Sequence, residues 1–441
     1  MPGARSGRTE VELKLALDPE YLPKLKQHPM LRARRPSTTH LQSTYYDTPD
    51  LRLANRDLTL RVRRNGRQHV QTVKAGDLRQ IGLFEREEAE QTVPRPGPDL
   101  AAIGDGALRR AVGGAVGAGA LKPIFGTEVK RTRWQLGDGS RVAVEVDLDV
   151  GHLKAGRVRA PICELELELK KGRPRNLIRV ARTLGRAVPL RLDVASKAAR
   201  GLALYRGEEQ TIRRAETVTY DRDASLGDAV LTILKECLAH AASNQAAVLA
   251  GTDIEGVHQM RVGLRRMRAT LGLFRHQFQA LTRDELASEL RWLAGALAPA
   301  RAWDVFLDEL LPPVALALAR EADLAEIESK ARAMREAAYG EARSAIGSDR
   351  FLNLMLSARL WFVEPPWTED AGVERPARDV AAEILERRHR KAKRLIKDAE
   401  RLEEAELHAL RIRLKKLRYS AEFFVPLFAE RRVKAYVKAI A

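Results

Sequence analysis

The feature that most restricts the fold of this chain lies between Thr9 and Lys170: short alternating runs whose polar positions are nearly all charged. They include Glu10-Val-Glu-Leu-Lys-Leu15, Leu58-Thr-Leu-Arg-Val-Arg63, Val142-Ala-Val-Glu-Val-Asp-Leu-Asp149 and Cys163-Glu-Leu-Glu-Leu-Glu-Leu-Lys170. A period of two predicts strands, and residues two apart share a face. Glu10, Glu12 and Lys14 therefore stand together, as do Arg61 with Arg63, Thr72 with Lys74, Arg86 with Glu88 and Glu90, and Arg131 with Arg133. Glu145, Asp147 and Asp149 form another stripe, and Glu164, Glu166, Glu168 and Lys170 a further one. Turn signals at Asp47-Thr-Pro-Asp50, Asn65-Gly66 and Gly137-Asp-Gly139 make antiparallel neighbours the simple arrangement. A single stripe is what a solvated face looks like. Stripes on nearly every strand fit a sheet closed into a barrel with a wet lumen, where cations and anions offset one another, because unpaired buried charge is prohibitively costly.

The rest of the chain reads differently. Helices are predicted at about 174–186 and 195–205, and beyond the charged stretch Gly207 to Asp223 apolar residues recur three and four apart to the end. At 441 residues two domains are expected. The predicted division is 1–208, a linker at 209–222, and a helical domain at 223–441. The fold class is α+β multidomain: an antiparallel β-barrel, then an all-α duplicated bundle. The duplication is visible in the letters, since His258-Gln-Met-Arg-Val-Gly-Leu-Arg-Arg-Met-Arg268 aligns without a gap against His408-Ala-Leu-Arg-Ile-Arg-Leu-Lys-Lys-Leu-Arg418. The second copy stops at Ala441, opposite Arg291 in the first, so the final helix is expected to be cut short.

The charge balance narrows the partners. Lys and Arg number 77 against 59 Asp and Glu, a net +18 that favours polyanions. Cys163 and Cys237 form no CxxC pair or disulfide framework, and no long uncharged apolar run is present, so a soluble cytoplasmic protein is expected. Carboxylates crowded on neighbouring strands, without His or Cys, suit Mg²⁺ or Mn²⁺. Arg and Lys stripes complement phosphate oxygens. Together these are the equipment of phosphoryl transfer. On the helices, His258, Arg261, Arg265 and Arg268 project within about 80° of one another, and His408, Arg411, Lys415 and Arg418 repeat the stripe. Arg387 to Lys391, with Lys393, Arg394 and Lys397, adds charge on the preceding helix.

Glu10-Val-Glu-Leu-Lys14 resembles the ExExK signature of the CYTH, or triphosphate tunnel metalloenzyme, family. Tyr45-Tyr-Asp-Thr-Pro49, Leu60-Arg-Val-Arg63, Gln71-Thr-Val-Lys74, Glu164-Leu-Glu166 and Ser196-Lys-Ala-Ala-Arg-Gly201 follow in that family's order, over about residues 8–206. The resemblance implies an eight-stranded antiparallel barrel enclosing inorganic triphosphate. It also implies metal-site acids at Glu10, Glu12, Asp149, Glu164 and Glu166, with Glu88 and Glu168 as further candidates and the choice between Asp147 and Asp149 open. It implies phosphate clamps at Lys14, Arg61, Arg63, Lys74, Arg131, Arg133 and Lys197, and catalysis through Glu10, Glu12 and Lys14. The helical half resembles the CHAD domain, which binds inorganic polyphosphate. The resemblance gives that contact to His258, Arg261, Arg265, Arg268, His408, Arg411, Lys415 and Arg418, and a place at polyphosphate granules.

Three other functions compete. An adenylyl cyclase or thiamine triphosphatase would add a pocket for an organic group. A non-enzymatic polyphosphate-binding protein would not need intact Glu10, Glu12, Glu164 and Glu166. Nucleic-acid binding is disfavoured, because the basic helices lack interleaved aromatics for base stacking.

Overall fold

The computed structural model describes residues 5–76, 83–137, 142–192, 195–208, 212–318, 324–396 and 403–439, without the side chains of residues 5–10, 83–86, 395, 396, 430 and 434. The side chains of Glu10 and Arg86, the turn residues Asp138 and Gly139, and Lys397 lie outside the described residues. Two compact units are present. One comprises Met1–Thr211 with Gly347–Val363, the other Ile212–Ile346 with Glu364–Ala441.

The first unit is built on β1 (Arg5–Leu17), β2 (Ser37–Asp47), β3 (Leu58–Asn65), β4 (Gln68–Ala75), β5 (Leu83–Val93), β6 (Lys122–Leu136), β7 (Ala143–Ala155), β8 (Val158–Lys171) and β9 (Leu190–Leu192). These form one sheet in the order β5-β4-β3-β2-β6-β7-β8-β1-β9, and β1 pairs with β5 as well. The expectation of eight strands is corrected to nine. The additional strand is three residues long, too short to show alternation, and exists because Leu190–Leu192 returns beside Leu15–Leu17 at the end of β1.

The turns form for readable reasons. Gly66 has φ +60 between β3 and β4, a left-handed conformation that glycine adopts without strain. The buried Asp47 carboxylate accepts the backbone N–H groups of Thr48, Leu53 and Ala54 at 2.7, 2.9 and 3.0 Å, which closes the Asp47 to Asp50 corner.

The apolar face of the sheet turns outward and is covered by helices. Leu58, Leu60, Val73 and Ala89 pack with Leu108, Val112, Ala115 and Val116 of the helix Gly106–Val116. Leu177, Ala181 and Leu184 of the helix Arg175–Gly185 are fully buried. On that helix a Cβ at Gly185 would lie 2.4 Å from Leu352 Cδ2, so glycine admits the neighbouring helix Asp349–Val363. Arg182 donates to Ser357 Oγ at 2.6 Å in the same contact. Each leucine so buried contributes about 1.5–3 kcal/mol.

The second unit is helical, and its duplication extends to the element boundaries. The helices Ile254–Leu273 and Glu404–Phe423 are both 20 residues long, and both occupy the aligned positions of the two copies. The next helices begin at Ala280 and Glu430, again aligned. Asp253 caps the first helix through the N–H of Glu255, and Glu403 with Glu406 forms a capping box on the second. Val257, Met260 and Leu264 are fully buried, with Met267 and Leu271 nearly so, so the apolar stripe faces inward and the basic stripe is left at the surface.

Candidate functional site

Cross-strand register places the charged stripes side by side. Glu12 and Lys14 lie opposite Glu168 and Glu166. Glu145, Asp147 and Asp149 lie opposite Glu168, Glu166 and Glu164. Arg131 and Arg133 lie opposite Asp149 and Asp147, Arg61 opposite Tyr45 and Thr72, and Lys74 opposite Glu88. Opposite residues share a face, and that face is enclosed: Glu12 and Lys14 are only 6% and 7% exposed. Side chains from β1 through β8 line a cavity of about 500 Å³.

The cavity has two chemically distinct sides. On β1, β7 and β8 carboxylates dominate, and one oxygen from each of Asp149, Glu164 and Glu166 falls within 4.8 Å of the others. Cations thread this side. Lys14 Nζ is 2.7 Å from Glu166 and 3.2 Å from Glu12. Arg131 grips Asp149 with two parallel bonds of 2.7 and 2.6 Å and also reaches Asp147 and Glu166. Arg133 binds Asp147 at 2.7 Å through two nitrogens. Lys197 stands 2.7 Å from Asp149 and 3.1 Å from Glu166, and donates to Glu164. Arg200 reaches Glu164 at 3.2 Å.

The opposite side, on β2, β3 and β4, is cationic. Arg61 has a buried Nε without a hydrogen-bond partner. Arg63 donates to Ser43 Oγ at 3.3 Å. Lys74 is 3.2 Å from Glu88.

These environments set the charge states. Burial opposes ionisation of Asp149, but Lys197 and Arg131 outweigh it and hold the carboxyl at about 2. Glu166 is held well below the usual range: burial raises it, and Lys14, Lys197 and Arg131 more than offset that. Lys14, Arg131 and Lys197, desolvated yet surrounded by carboxylates, are all raised. Arg63 shows the reverse, pulled down to about 10 by burial and then by Arg61 and Arg131. Arg61 on the same strand is raised: burial lowers it, and Tyr45, Glu88 and Glu90 more than offset that. All-oxygen donors on the other side are a fitting set for a hard divalent ion.

In the helical unit the two basic stripes meet. The Arg265 guanidinium of the first copy lies 5.6 Å from the Tyr419 ring centroid, and Arg418 of the second lies 5.4 Å from it. The Lys415 ammonium is depressed by desolvation and then by Arg411, Arg265 and Arg418. His258 is depressed by partial burial and then by Arg301, and Arg261 by burial and then by Arg265 and Arg301. The Tyr419 hydroxyl is buried without a hydrogen-bond partner, and Arg418 Nε lies 3.3 Å from Glu422. Arg268 and His408 are exposed on the same two helices.

Two family models match the chain in succession, the second including the helix Asp349–Val363 that packs in the first unit. Residues 8–202 match the CYTH domain and residues 232–441 the CHAD domain. The chain is a CYTH domain followed by a CHAD domain. It is 32% identical over 198 residues to an inorganic triphosphatase of Haemophilus influenzae, a match covering 44% of this chain and 54%, about half, of that relative. The CHAD domain of Ricinus communis is 32% identical, with a TM-score of 0.45, over 53% of this chain and 76% of that one. A putative adenylyl cyclase of Hippeastrum, described as having a dominant triphosphatase activity, is 19% identical with a TM-score of 0.35, over 45% and 96%.

The CYTH domain brings Glu12, Lys14, Arg61, Arg63, Lys74, Arg131, Arg133, Glu166 and Lys197 to one cavity, with Glu88 and Glu168 on its wall. Glu10 is on β1 opposite Arg86. Asp149 converges with Glu164 and Glu166 but is held by Arg131 and Lys197, while Asp147 lines the cavity and is held by Arg131 and Arg133. Five residues expected to hold phosphate, Lys14, Lys74, Arg131, Arg133 and Lys197, are ion-paired with carboxylates. Tyr45 and Arg200 received no role from the sequence, although both sit in the motifs that carry the resemblance. Tyr45 lines the cavity, stacked on Phe125 at 4.4 Å between ring centroids. In the CHAD domain, Tyr419 likewise received no role, because it does not fall on the stripe the helical period defines.

Proposed function

We propose that the CYTH domain is an enclosed tunnel that hydrolyses inorganic triphosphate with Mg²⁺ or Mn²⁺, and that the CHAD domain holds polyphosphate. The observation that carries the first part is the facing of Arg61, whose buried Nε lacks a hydrogen-bond partner, and Arg63, depressed by burial and then by Arg61 and Arg131, toward a wall of carboxylates. The additional β5–β1 pairing supports enclosure. The cavity wall is polar apart from Leu169, Ala198 and the Tyr45 ring, which favours inorganic triphosphate over a nucleotide or thiamine ester.

Arg61, Arg63 and Lys74 would bind phosphate oxygens and neutralise the charge that grows on them during transfer. Asp149, Glu164 and Glu166, with Glu10 and Glu12 nearby on β1, would hold the divalent ion, which supplies Lewis acidity and lowers the pKa of a bound water. Glu12 is assigned to orienting the attacking water and taking its proton, with Lys14 fixing the carboxylates through Glu12 and Glu166. Attack on a terminal phosphorus would release phosphate and pyrophosphate. His258, Arg261, Arg265, Arg268, His408, Arg411, Lys415 and Arg418 would meet a long phosphate chain by charge and counterion release. No helix among the described residues is long and apolar enough to cross a membrane. A cytoplasmic site at polyphosphate granules belongs to the same proposal.

The test is phosphate release from triphosphate, long polyphosphate, ATP and thiamine triphosphate side by side, with Mg²⁺, Mn²⁺ or a chelator. Triphosphate should be the best substrate and the chelator should stop the reaction. Preference for ATP or thiamine triphosphate would overturn the assignment.

A further inference from the structure

The CYTH cavity holds a cation of its own at the point where a metal would bind. Lys197 Nζ is 2.7 Å from Asp149 Oδ2 and 3.1 Å from Glu166 Oε1, and it donates to Glu164 Oε1. These are the three carboxylates whose oxygens converge within 4.8 Å. We propose that Lys197 is the resident counter-cation of this carboxylate trio, so that a divalent ion binds appreciably only when a phosphate chain arrives to receive the displaced ammonium. The inference rests on the metal-dependent reading above and adds the order of loading.

Charge arithmetic leads there. The trio carries three formal negative charges, and four cations touch it: Lys14 at Glu166, Arg131 at Asp149 and Glu166, Lys197 at all three, and Arg200 at Glu164. Glu12 on Lys14 and Asp147 on Arg131 bring the carboxylates to five against these four cations, so the cluster with Lys197 in place is already within one charge of neutral. A divalent ion bound while Lys197 stays in place would turn that balance positive and put two cations among the same oxygens in a desolvated setting, where like charges repel strongly. A triphosphate brings several negative charges and reverses that balance.

Lys197 is also the cation best placed to yield. It is the first residue of the ten-residue helix Lys197–Arg206, just after the Ser196 cap. A positive charge there opposes the helix dipole, so the carboxylates alone hold it. Its flexible stem carries a point charge that can turn to a phosphate oxygen, and its side chain lines the cavity. Arg131, held by paired bonds to Asp149, is not free to turn in this way.

The experiment measures binding of Mn²⁺ to the full chain by loss of the free-ion electron paramagnetic resonance signal, with Mn²⁺ alone and with inorganic phosphate added. The wild type should bind Mn²⁺ weakly alone, and phosphate should tighten binding. Lys197→Met should bind Mn²⁺ alone about tenfold more tightly than wild type and gain little from phosphate, as expected when a coupling of that size is removed. Lys197→Gln, which retains hydrogen bonding, serves should the Met variant fail to fold, and Lys197→Arg should stay weak. Folded Met and Gln variants that bind Mn²⁺ no more tightly than wild type overturn the proposal. In that case Glu164→Gln locates the failure: if it abolishes Mn²⁺ binding, the metal reading stands and only the role of Lys197 falls. If Glu164→Gln changes nothing, the metal reading falls with it.

Discussion

The CYTH and CHAD domains use the same side chains in opposite ways. Inside the sheet, Lys14, Arg131 and Lys197 are buried and held by carboxylates at hydrogen-bond distance. On the helices, Arg265, Arg411 and Lys415 are exposed, and no acidic residue occurs between His258 and Phe274 or between His408 and Ala421. The difference teaches that burial, more than the number of cations, decides what an anion meets. A buried paired lattice fixes a short ligand and is little screened by salt, whereas an exposed stripe with few acidic partners attracts a long polyanion and is screened readily.

The largest effect that would sharpen this contrast concerns the carboxylate wall. Glu12→Gln with Glu164→Gln should lower kcat for triphosphate by about a thousandfold or more, since such groups position both metal and water. Retained thermal melting by circular dichroism would show the loss to be chemical, and undiminished turnover in the folded double variant would move the metal site elsewhere.

Next is the helical surface. Changing Arg261, Arg265, Arg411 and Lys415 together to Glu should abolish binding of long polyphosphate in the absence of metal, with triphosphate hydrolysis largely retained. Wild-type polyphosphate affinity should fall by about a thousandfold between 50 and 200 mM salt if several phosphates are neutralised. Salt-indifferent binding in a fluorescence anisotropy titration would break the comparison.

Arg61→Ala should reduce kcat/KM for triphosphate by about a hundredfold, the scale for one lost charge-stabilising donor. An unchanged value would remove Arg61 from the clamp.

A smaller effect concerns acid. Because Asp149 is held at about 2, below its ordinary 3.8, its contribution to stability is present above pH 3.8 and is lost as the pH falls toward 2. In chelator-treated protein, Asp149→Asn should flatten that part of the melting-temperature profile. A profile identical to wild type would show that Asp149 does not carry it.

The smallest concerns His258, which is depressed below its usual value and therefore neutral at pH 7. A bound phosphate chain favours its charged form, so polyphosphate binding should tighten by about two- to threefold from pH 7 to 6. His258→Gln should remove that increment in titrations at the two pH values.

Much of this was legible because alternation and helical period are local properties. The runs at Glu10 to Leu15 and Cys163 to Lys170 gave strands with one charged face, and the aligned segments from His258 and His408 gave two helices of equal length. What was not legible involved elements without a period of their own. Leu190–Leu192 is a strand only because β1 offers an edge to it. Tyr419 was overlooked because its phenol lies between cations from the two copies, a relation that no single helix displays.

The sequence by itself determined which faces carry charge, which residues repeat, and what kinds of ligand such charges suit, since side-chain chemistry and periodicity are written residue by residue. That the charged face lines a lumen was expected from the stripes, but tertiary structure alone decided which of those charges are buried and that Asp149 rather than Asp147 converges with Glu164 and Glu166. It also decided that Lys197 turns to carboxylates. The physical reason is that pairing and desolvation depend on distances between strands remote in sequence: Lys14 meets Glu166 across 152 positions of chain, and only the folded register brings them to 2.7 Å.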